Sequence, residues 1–503
     1  MDGEQRTLRR DGAPFHLSPQ QLQMLSELLP HAGQTVSRQT LIDTVWNRRA
    51  ISDYAMDKAV SRLRAALGCE DDGPFDIVAD KGRGFHFRGH IVWADTPDGV
   101  VPAERGAAPR VANAGGVPAS AEEQAIVLDR LLDPHRAFIT GRAALESLSA
   151  GQIAAAAQAF RDVLALDDRA ARAHIGLATA LVFEFESTRS QLFPNHQLLV
   201  TAEHHAVRGR DLDPECPEAW GALALVYHRR GRRLDAMASA RQAIACEKGA
   251  GSIYGHLHLA FVSSGDERLR AGSVVIDRLA NNGIAHWFVS TVYIARSDMA
   301  RATTHIDKGC TAQESQRAQR GAVGRMALVG SYFQRGLVLA AQQQDGLAEA
   351  AFAHELTFSD CGHFLAPEVS ANTWYARGGV AWRGGDLAWA RHCFEQALAI
   401  LPGHVLASIA LASLAGHDVV AHLSMLAPLE SHDPIAAAVA RAVALALAGR
   451  HAEAARVVAD ALLASDVPGP GAAWIVPVEP ILNVGAHRDE WAATLVILEQ
   501  RAS

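Results

Sequence analysis

Apolar residues recur at helical spacing through most of this chain. From about residue 121 to residue 503 the sequence is rich in Ala and Leu, and its apolar positions follow a helical period. Residues 1–92 read differently, with short extended runs between helical ones. In "RDGAPFHLSP" an Asp-Gly pair separates two extended pieces, which signals a hairpin. Ser18 is placed to cap a helix over "PQQLQMLSELLPHAG", with Pro19 in its first position and Gly33 as its stop. Ser37 caps a second helix, "RQTLIDTVW", and "MDKAVSRLRAAL" (56–67) has the period of a third. The run "FDIVADKGRGFHFRG" then gives two β-rich pieces around a glycine-rich tip. Residues 93–120 are rich in Pro, Gly and Ala with no apolar period, the composition of a flexible linker. The pattern therefore predicts three parts: residues 1–92, a linker at 93–120, and a long helical part at 121–503.

Three helices followed by a hairpin make a winged helix-turn-helix. On a helical wheel of the third helix, at about 100° per residue, Met56, Val60, Leu63 and Leu67 form one stripe and face the core. Lys58, Ser61, Arg62 and Ala65 fall on the opposite face, with Tyr54 and Ala55 beside them; Arg64 lies on a flank next to Asp57. That exposed face is short, polar and basic at its centre. It suits a helix in a DNA major groove, where an Arg fork can bind guanine O6 and N7 together. Basic and acidic residues balance within this region, so placement rather than net charge carries the reading.

The segments "LSPQQLQMLSELLPHAGQTVSRQTLIDTVW", "MDKAVSRLRAAL" and "IVADKGRGFHF" resemble, in order and spacing, the effector domain of the OmpR/PhoB-type regulators. The resemblance implies that the third helix enters the major groove and that the wing touches the minor groove beside it. It implies that Lys58, Ser61 and Arg62 face bases or nearby phosphates and that Arg64 meets a phosphate. On the wing it places Lys81 as the basic residue that reaches the groove, with Arg83 next along the tip. The loop after Trp46, "NRRAISD", with Arg48 and Arg49, matches the segment that this family uses to touch RNA polymerase. No receiver domain is legible in the chain.

The helical part repeats. "AWGALALVYHRRGRRLDAMASARQAI" (219–244) and "TWYARGGVAWRGGDLAWARHCFEQALAILP" (373–402) share one set of marks. These are Trp220, Ala224, Gly231 and Ala236 in the first, and Trp374, Gly378, Gly385 and Ala390 in the second, which continues with Phe394, Ala397 and Pro402. The pattern resembles the tetratricopeptide repeat, an antiparallel helix pair of about 34 residues. Weaker copies run over 138–168, start near His174, and centre on Gly265, Asp298, Gly346, Gly416 and Gly449. The expected architecture is mostly α: an N-terminal winged helix, then a right-handed α-solenoid of tetratricopeptide-like pairs with a concave groove. The resemblance places His228, Arg229, Trp287, Tyr375, Trp382 and Arg383 along that groove.

Composition narrows the function. The net charge of −8 excludes a uniformly basic nucleic-acid binder but not a small basic face. The cysteines form no C-x-x-C pair, and dispersed thiols fit a reducing cytosol. The N-terminus lacks the apolar core of a signal peptide. The apolar run 434–449 is interrupted by Arg441 and too short to span a membrane, so it reads as a buried helix. No P-loop, G-x-S-x-G or H-E-x-x-H motif occurs, and the local Cys/His adjacencies at 361–363 and 204–205 read as chance among 23 histidines. No enzyme activity, cofactor or metal is expected. The module order is similar to that of HilA-like regulators. The reading is a cytoplasmic bacterial transcription regulator, an activator, binding promoter DNA and RNA polymerase. The solenoid would serve a protein, peptide or small-molecule effector or a second copy of the chain. The alternative is an interaction scaffold whose winged helix docks protein rather than DNA.

Overall fold

In the computed structural model the described residues are 8–10, 13–15, 19–29, 31, 34–45, 53–67, 69, 75–80, 84–89, 136–189, 194–247, 253–318, 328–421, 423–466 and 468–503. The chain divides into two compact units, Met1–Asp133 and Pro134–Ser503. The expected linker at 93–120 lies outside the described residues.

In the first unit, β1 (Leu8–Arg10) pairs antiparallel with β2 (Ala13–Phe15), Arg10 opposite Ala13, as the Asp-Gly signal predicts. Helix α1 (Pro19–Leu28) starts at the predicted proline but stops short of Gly33. Pro30 supplies the reason, because a proline disfavours helical backbone in the residue before it. Ser37 does cap α2 (Arg38–Val45): the Thr40 N–H donates to its Oγ at 3.0 Å. Helix α3 spans Asp53–Leu67. The two β-rich runs are β4 (Phe75–Asp80) and β5 (Gly84–Gly89), antiparallel neighbours. A two-residue strand that the pattern did not announce, β3 (Val36–Ser37), joins the other edge of β5. That pairing needs a glycine at 84, since a Cβ there would collide with the Val36 carbonyl oxygen. Met24, Leu28, Leu41, Met56, Leu63, Ile77 and Phe85 close the core between helices and sheet.

The second unit is built of antiparallel helix pairs. They are α4 (136–146) with α5 (Ala150–Leu166), α6 (Ala171–Thr188) with α7 (Gln197–Leu212), and α8 (Pro217–Arg229) with α9 (Arg233–Cys246). Next come α10 (Tyr254–Val262) with α11 (Gly265–Arg278), α12 (Gly283–Ala295) with α13 (Met299–Ala318), and α14 (Ser331–Ala341) with α15 (Asp345–Leu356). After α16 (Ala366–Arg383) with α17 (Leu387–Ile400), the repeat degrades around α18 (Val405–Leu414) and the short α19 (Ala427–His432). It resumes in α20 (Pro434–Leu447) with α21 (His451–Ala464), and α22 (Arg488–Arg501) closes the chain. The turn glycines Gly231 and Gly385 have φ of +74° and +83°, the left-handed backbone that lets a first helix stop and its partner begin. Ala236 and Ala390 are fully buried where the helices of a pair meet. The apolar run at 434–449 is the buried α20, and among the described residues no helix is long and apolar enough to cross a membrane.

The row of pairs does not stay open. The turn before α5 meets the loop before α16: Phe364 N–H donates to the Leu148 carbonyl at 2.9 Å, and Ala150 N–H to the Gly362 carbonyl at 3.0 Å. Phe183 stacks on Phe364, with ring centroids 5.3 Å apart, and Arg189 reaches Glu368 at 2.6 Å. The segment after α21 then turns back onto the first helix of several later pairs. A 3-10 stretch, Gly471–Val478, packs on α12, α14 and α20.

Candidate nucleic-acid interface and the face of the first helices

The α3 stripe of Met56, Val60, Leu63 and Leu67 is buried as the wheel requires. Opposite it, Lys58, Ser61, Arg62 and Ala65 are exposed on one face. The side chains of Tyr54 and Ala55 lie outside the described residues. Gln21 of α1 anchors the helix, its Nε2 donating to the Arg62 carbonyl at 3.1 Å, while the Arg62 guanidinium makes no ion pair among the described residues. A helix held by its buried stripe and presenting a small polar face with an uncommitted guanidinium has the form that a major groove accepts.

Arg64 is placed differently from the expectation. Asp57 takes Arg38 instead, at 2.7 Å. Arg64 turns to β4, where its Nε and Nη2 donate to the two oxygens of Asp76 at 2.8 and 3.0 Å. Asp76 is only 4% exposed and also accepts the Ile77 N–H at 2.7 Å. A carboxylate removed from water requires such a partner, and the bidentate fork supplies it. In the free protein Arg64 therefore ties α3 to the wing sheet. At the wing, the Asp80 carboxylate accepts from Thr35, and His86 Nδ1 lies 3.2 Å from it, which fixes the strand end from which the tip departs. Lys81 and Arg83 on that tip, and Trp46, Arg48 and Arg49 after α2, lie outside the described residues.

Of the six residues expected along a groove, four are absorbed into internal packing. Tyr375 is 4% exposed and donates its hydroxyl to Glu479 at 2.6 Å; Glu479 also accepts the Leu482 N–H at 2.6 Å. Burial pushes the Glu479 carboxyl up to about 7. Trp287 meets Trp474 of the 3-10 stretch edge to face, with centroids 5.9 Å apart. Trp382 packs against the cluster that contains Ile481 and Leu482, and Arg383 is held by Asp345. The open groove of the expectation is thus covered here by the chain's own segment 471–483. The apolar rings gain more from that cover than from water.

His228 and Arg229, at the end of α8, belong to a charged cluster that the pattern did not reveal. Arg229 is held by Glu186, its Nη2 donating at 2.9 Å, and its guanidinium lies over the Phe261 ring, 5.1 Å from the centroid. His228 meets the same ring at its edge. Burial first, and then Arg229, Arg233, Arg268 and Arg189, hold the His228 imidazole well below its ordinary range. The long separation of Glu186, Arg229 and Glu368 in sequence is why no local motif announced them.

The first unit is a winged helix-turn-helix of the OmpR/PhoB type, and the second is an α-solenoid of tetratricopeptide-like pairs. Residues 12–87 match the protein-family profile described as "Transcriptional regulatory protein, C terminal". Transcriptional activator CadC of Escherichia coli (strain K12) is 29% identical over 93 residues, which is 18% of this chain and 18% of that protein. Transcriptional regulatory protein AfsQ1 of Streptomyces coelicolor is 33% identical over 86 residues, 17% of this chain and 38% of that protein. The match therefore spans well under half the length of either relative, and the family profile lies within the first unit. Human IFIT1 is similar to 63% of this chain over 70% of its own, at 14% identity and a TM-score of 0.42. The helix-pair architecture is read from this chain's own packing.

Proposed function

We propose that the chain is a DNA-binding transcription regulator, an activator, whose winged helix reads promoter DNA and whose helix-pair unit takes an effector or partner. The observation that carries this reading is the exposed Lys58–Ser61–Arg62–Ala65 face, set opposite a buried stripe in a unit that matches a transcriptional regulatory family. Arg62 reads a base; Lys58 and Ser61 face bases or nearby phosphates. Lys81 and Arg83 bring the wing to the adjacent groove, and Arg48 and Arg49 meet RNA polymerase. A single winged helix makes a small interface, so two heads on adjacent half-sites supply specific affinity.

The test uses the full chain, a duplex selected from a random pool, and unrelated duplexes, across a salt series. Arg62→Ala should lose about 1–3 kcal/mol on the selected site and relax its sequence preference. Lys81→Ala should weaken all duplexes alike and reduce the salt slope by about one counterion. Unchanged specific binding in Arg62→Ala would return α3 to a merely solvated face.

A further inference from the structure

Where α6 and α8 end and α9 and α11 begin, guanidinium groups outnumber the carboxylates that answer them. Arg189 caps the end of α6, Arg229 ends α8, Arg233 starts α9, and Arg268 lies in the first turn of α11. Glu186 holds Arg229 and lies 2.9 Å from Arg189, and Glu368 takes Arg189. Glu267, the carboxylate toward Arg233, is already engaged by Arg241 at 2.7 Å. Arg268 has no carboxylate partner among the described residues. Its terminal nitrogens donate to Thr291 Oγ1 at 3.0 Å and to the Phe261 carbonyl at 3.3 Å. Its Nε–H is shielded from water and meets no acceptor among the described residues, and the same holds for the Nε–H of Arg233.

These groups share one aromatic hub. Arg229 lies over Phe261, Arg268 donates to the carbonyl of Phe261, and Phe288 packs edge-on to Phe261 with centroids 5.5 Å apart. The Arg268 guanidinium lies 5.8 Å from the Phe288 centroid. A cation drawn from water without a counter-charge is costly, and a well-placed, hydrogen-bonded anion offsets that cost. Burial and the neighbouring Arg233 push the Arg268 guanidinium down to about 10. The Arg268 fork beside the Phe288 ring, with the Arg233 charge acting on it, favours a compact, planar or tetrahedral oxyanion over a chloride ion.

We propose that this cluster binds a small dianion, a phosphate monoester or a small dicarboxylate, with Arg268 as its main ligand, Arg233 beside it, and Arg229, already paired with Glu186, at its margin. The proposal deepens the effector role assigned to the helix-pair unit and rests on that reading; it does not involve the DNA-binding residues.

Isothermal calorimetry and thermal unfolding of the full chain test it, with inorganic phosphate and succinate as probes against sodium chloride at equal ionic strength. One of the two probes should bind saturably and raise the unfolding midpoint, and the stronger one identifies the oxyanion. Arg268→Gln keeps an N–H donor and removes the charge. It should weaken binding about tenfold or more, the loss of one hydrogen bond to a charged group. Arg268→Lys, which keeps the charge without the fork, should fall between the two. Arg270→Gln, outside the cluster, should bind as the parent does. Absence of saturable binding to both probes in the parent chain overturns the site, as does equal binding in Arg268→Gln. Duplex binding measured on the same samples separates the two readings: its loss in the parent chain would count against the DNA role and leave the anion result intact.

Discussion

Replacing Arg64 with alanine separates a structural arginine from a DNA-reading one. Asp76 is 4% exposed and its two oxygens accept from Arg64 at 2.8 and 3.0 Å, so the substitution leaves a carboxylate in the core. Breaking a fully buried pair on one side costs about 3–5 kcal/mol. Here the Arg64 side chain is 34% exposed, Ile77 N–H still donates to Asp76, and Arg88 stands 3.9 Å away. Screening and these remaining donors reduce the expected loss to about 1–3 kcal/mol. For a unit of this size each kcal/mol moves the midpoint by about 4–8 °C. Calorimetry of the full chain should show the winged-helix transition fall, and hydrogen exchange should rise in 56–67 and 75–80 together. Adding Asp76→Asn should recover part of the loss, because the stranded charge is gone. Simple addition of the two effects, or an Arg64→Ala chain as stable as its parent, would refute the coupling. Arg62→Ala, opposite the buried stripe, should leave the transition in place.

Two histidine pairs give the second unit a pH dependence. His174 Nδ1 lies 2.8 Å from His205 Nδ1, and His286 Nδ1 lies 2.9 Å from His305 Nδ1; the outer Nε2 atoms meet the Asp168 and Ala280 carbonyls. Burial first, and then the partner ring, push His205 and His305 down to about 4, below the 6.5 of a free imidazole. The neutral form is therefore favoured by folding. Stability is full above about pH 6.5 and is lost as pH falls toward 4, with a slope of about 1.4 kcal/mol per pH for each proton that unfolding takes up. Calorimetry from pH 7.5 to 4.5 should show this fall, and a flat profile would contradict it. Ser297 has φ +58°, so Ser297→Gly should add about 1 kcal/mol by denaturant titration; a loss would mean its hydroxyl matters more than its backbone. Gly84→Ala drives a Cβ into the Val36 carbonyl and should cost on the order of 3 kcal/mol, with faster exchange in β3 and β5; unchanged exchange would show that the strands can yield.

Local chemistry made much of this legible. The Asp-Gly hairpin, the Pro19 helix start, the Ser37 cap and the two wing strands are each specified by residues adjacent in sequence. The helix pairs announced by Gly231 and Gly385 stand where the repeat placed them. Strand β3 escaped because two residues carry no alternation to read. The turns near Asp298 and Gly346 bend at Ser297 and Gln343, non-glycine residues with positive φ, so their glycine signal was absent or displaced. The closure of Leu148 on Phe364, the cover of Trp287 by Trp474 and the Glu186–Arg229 pair join residues far apart in the chain. No periodicity reports such contacts, and a repeat pattern places groove positions without the distant segment that fills them.

The central claim is that the exposed face of α3 reads DNA sequence. The most direct measurement is sequencing of genomic fragments captured by the full chain and by its Arg62→Ala variant under the same salt conditions. The parent chain should enrich a short motif near promoters, and Arg62→Ala should lose preference at one base position while retaining weak, salt-sensitive capture. An identical motif from both chains, or no enriched motif from the parent, would contradict a base-reading role for this helix.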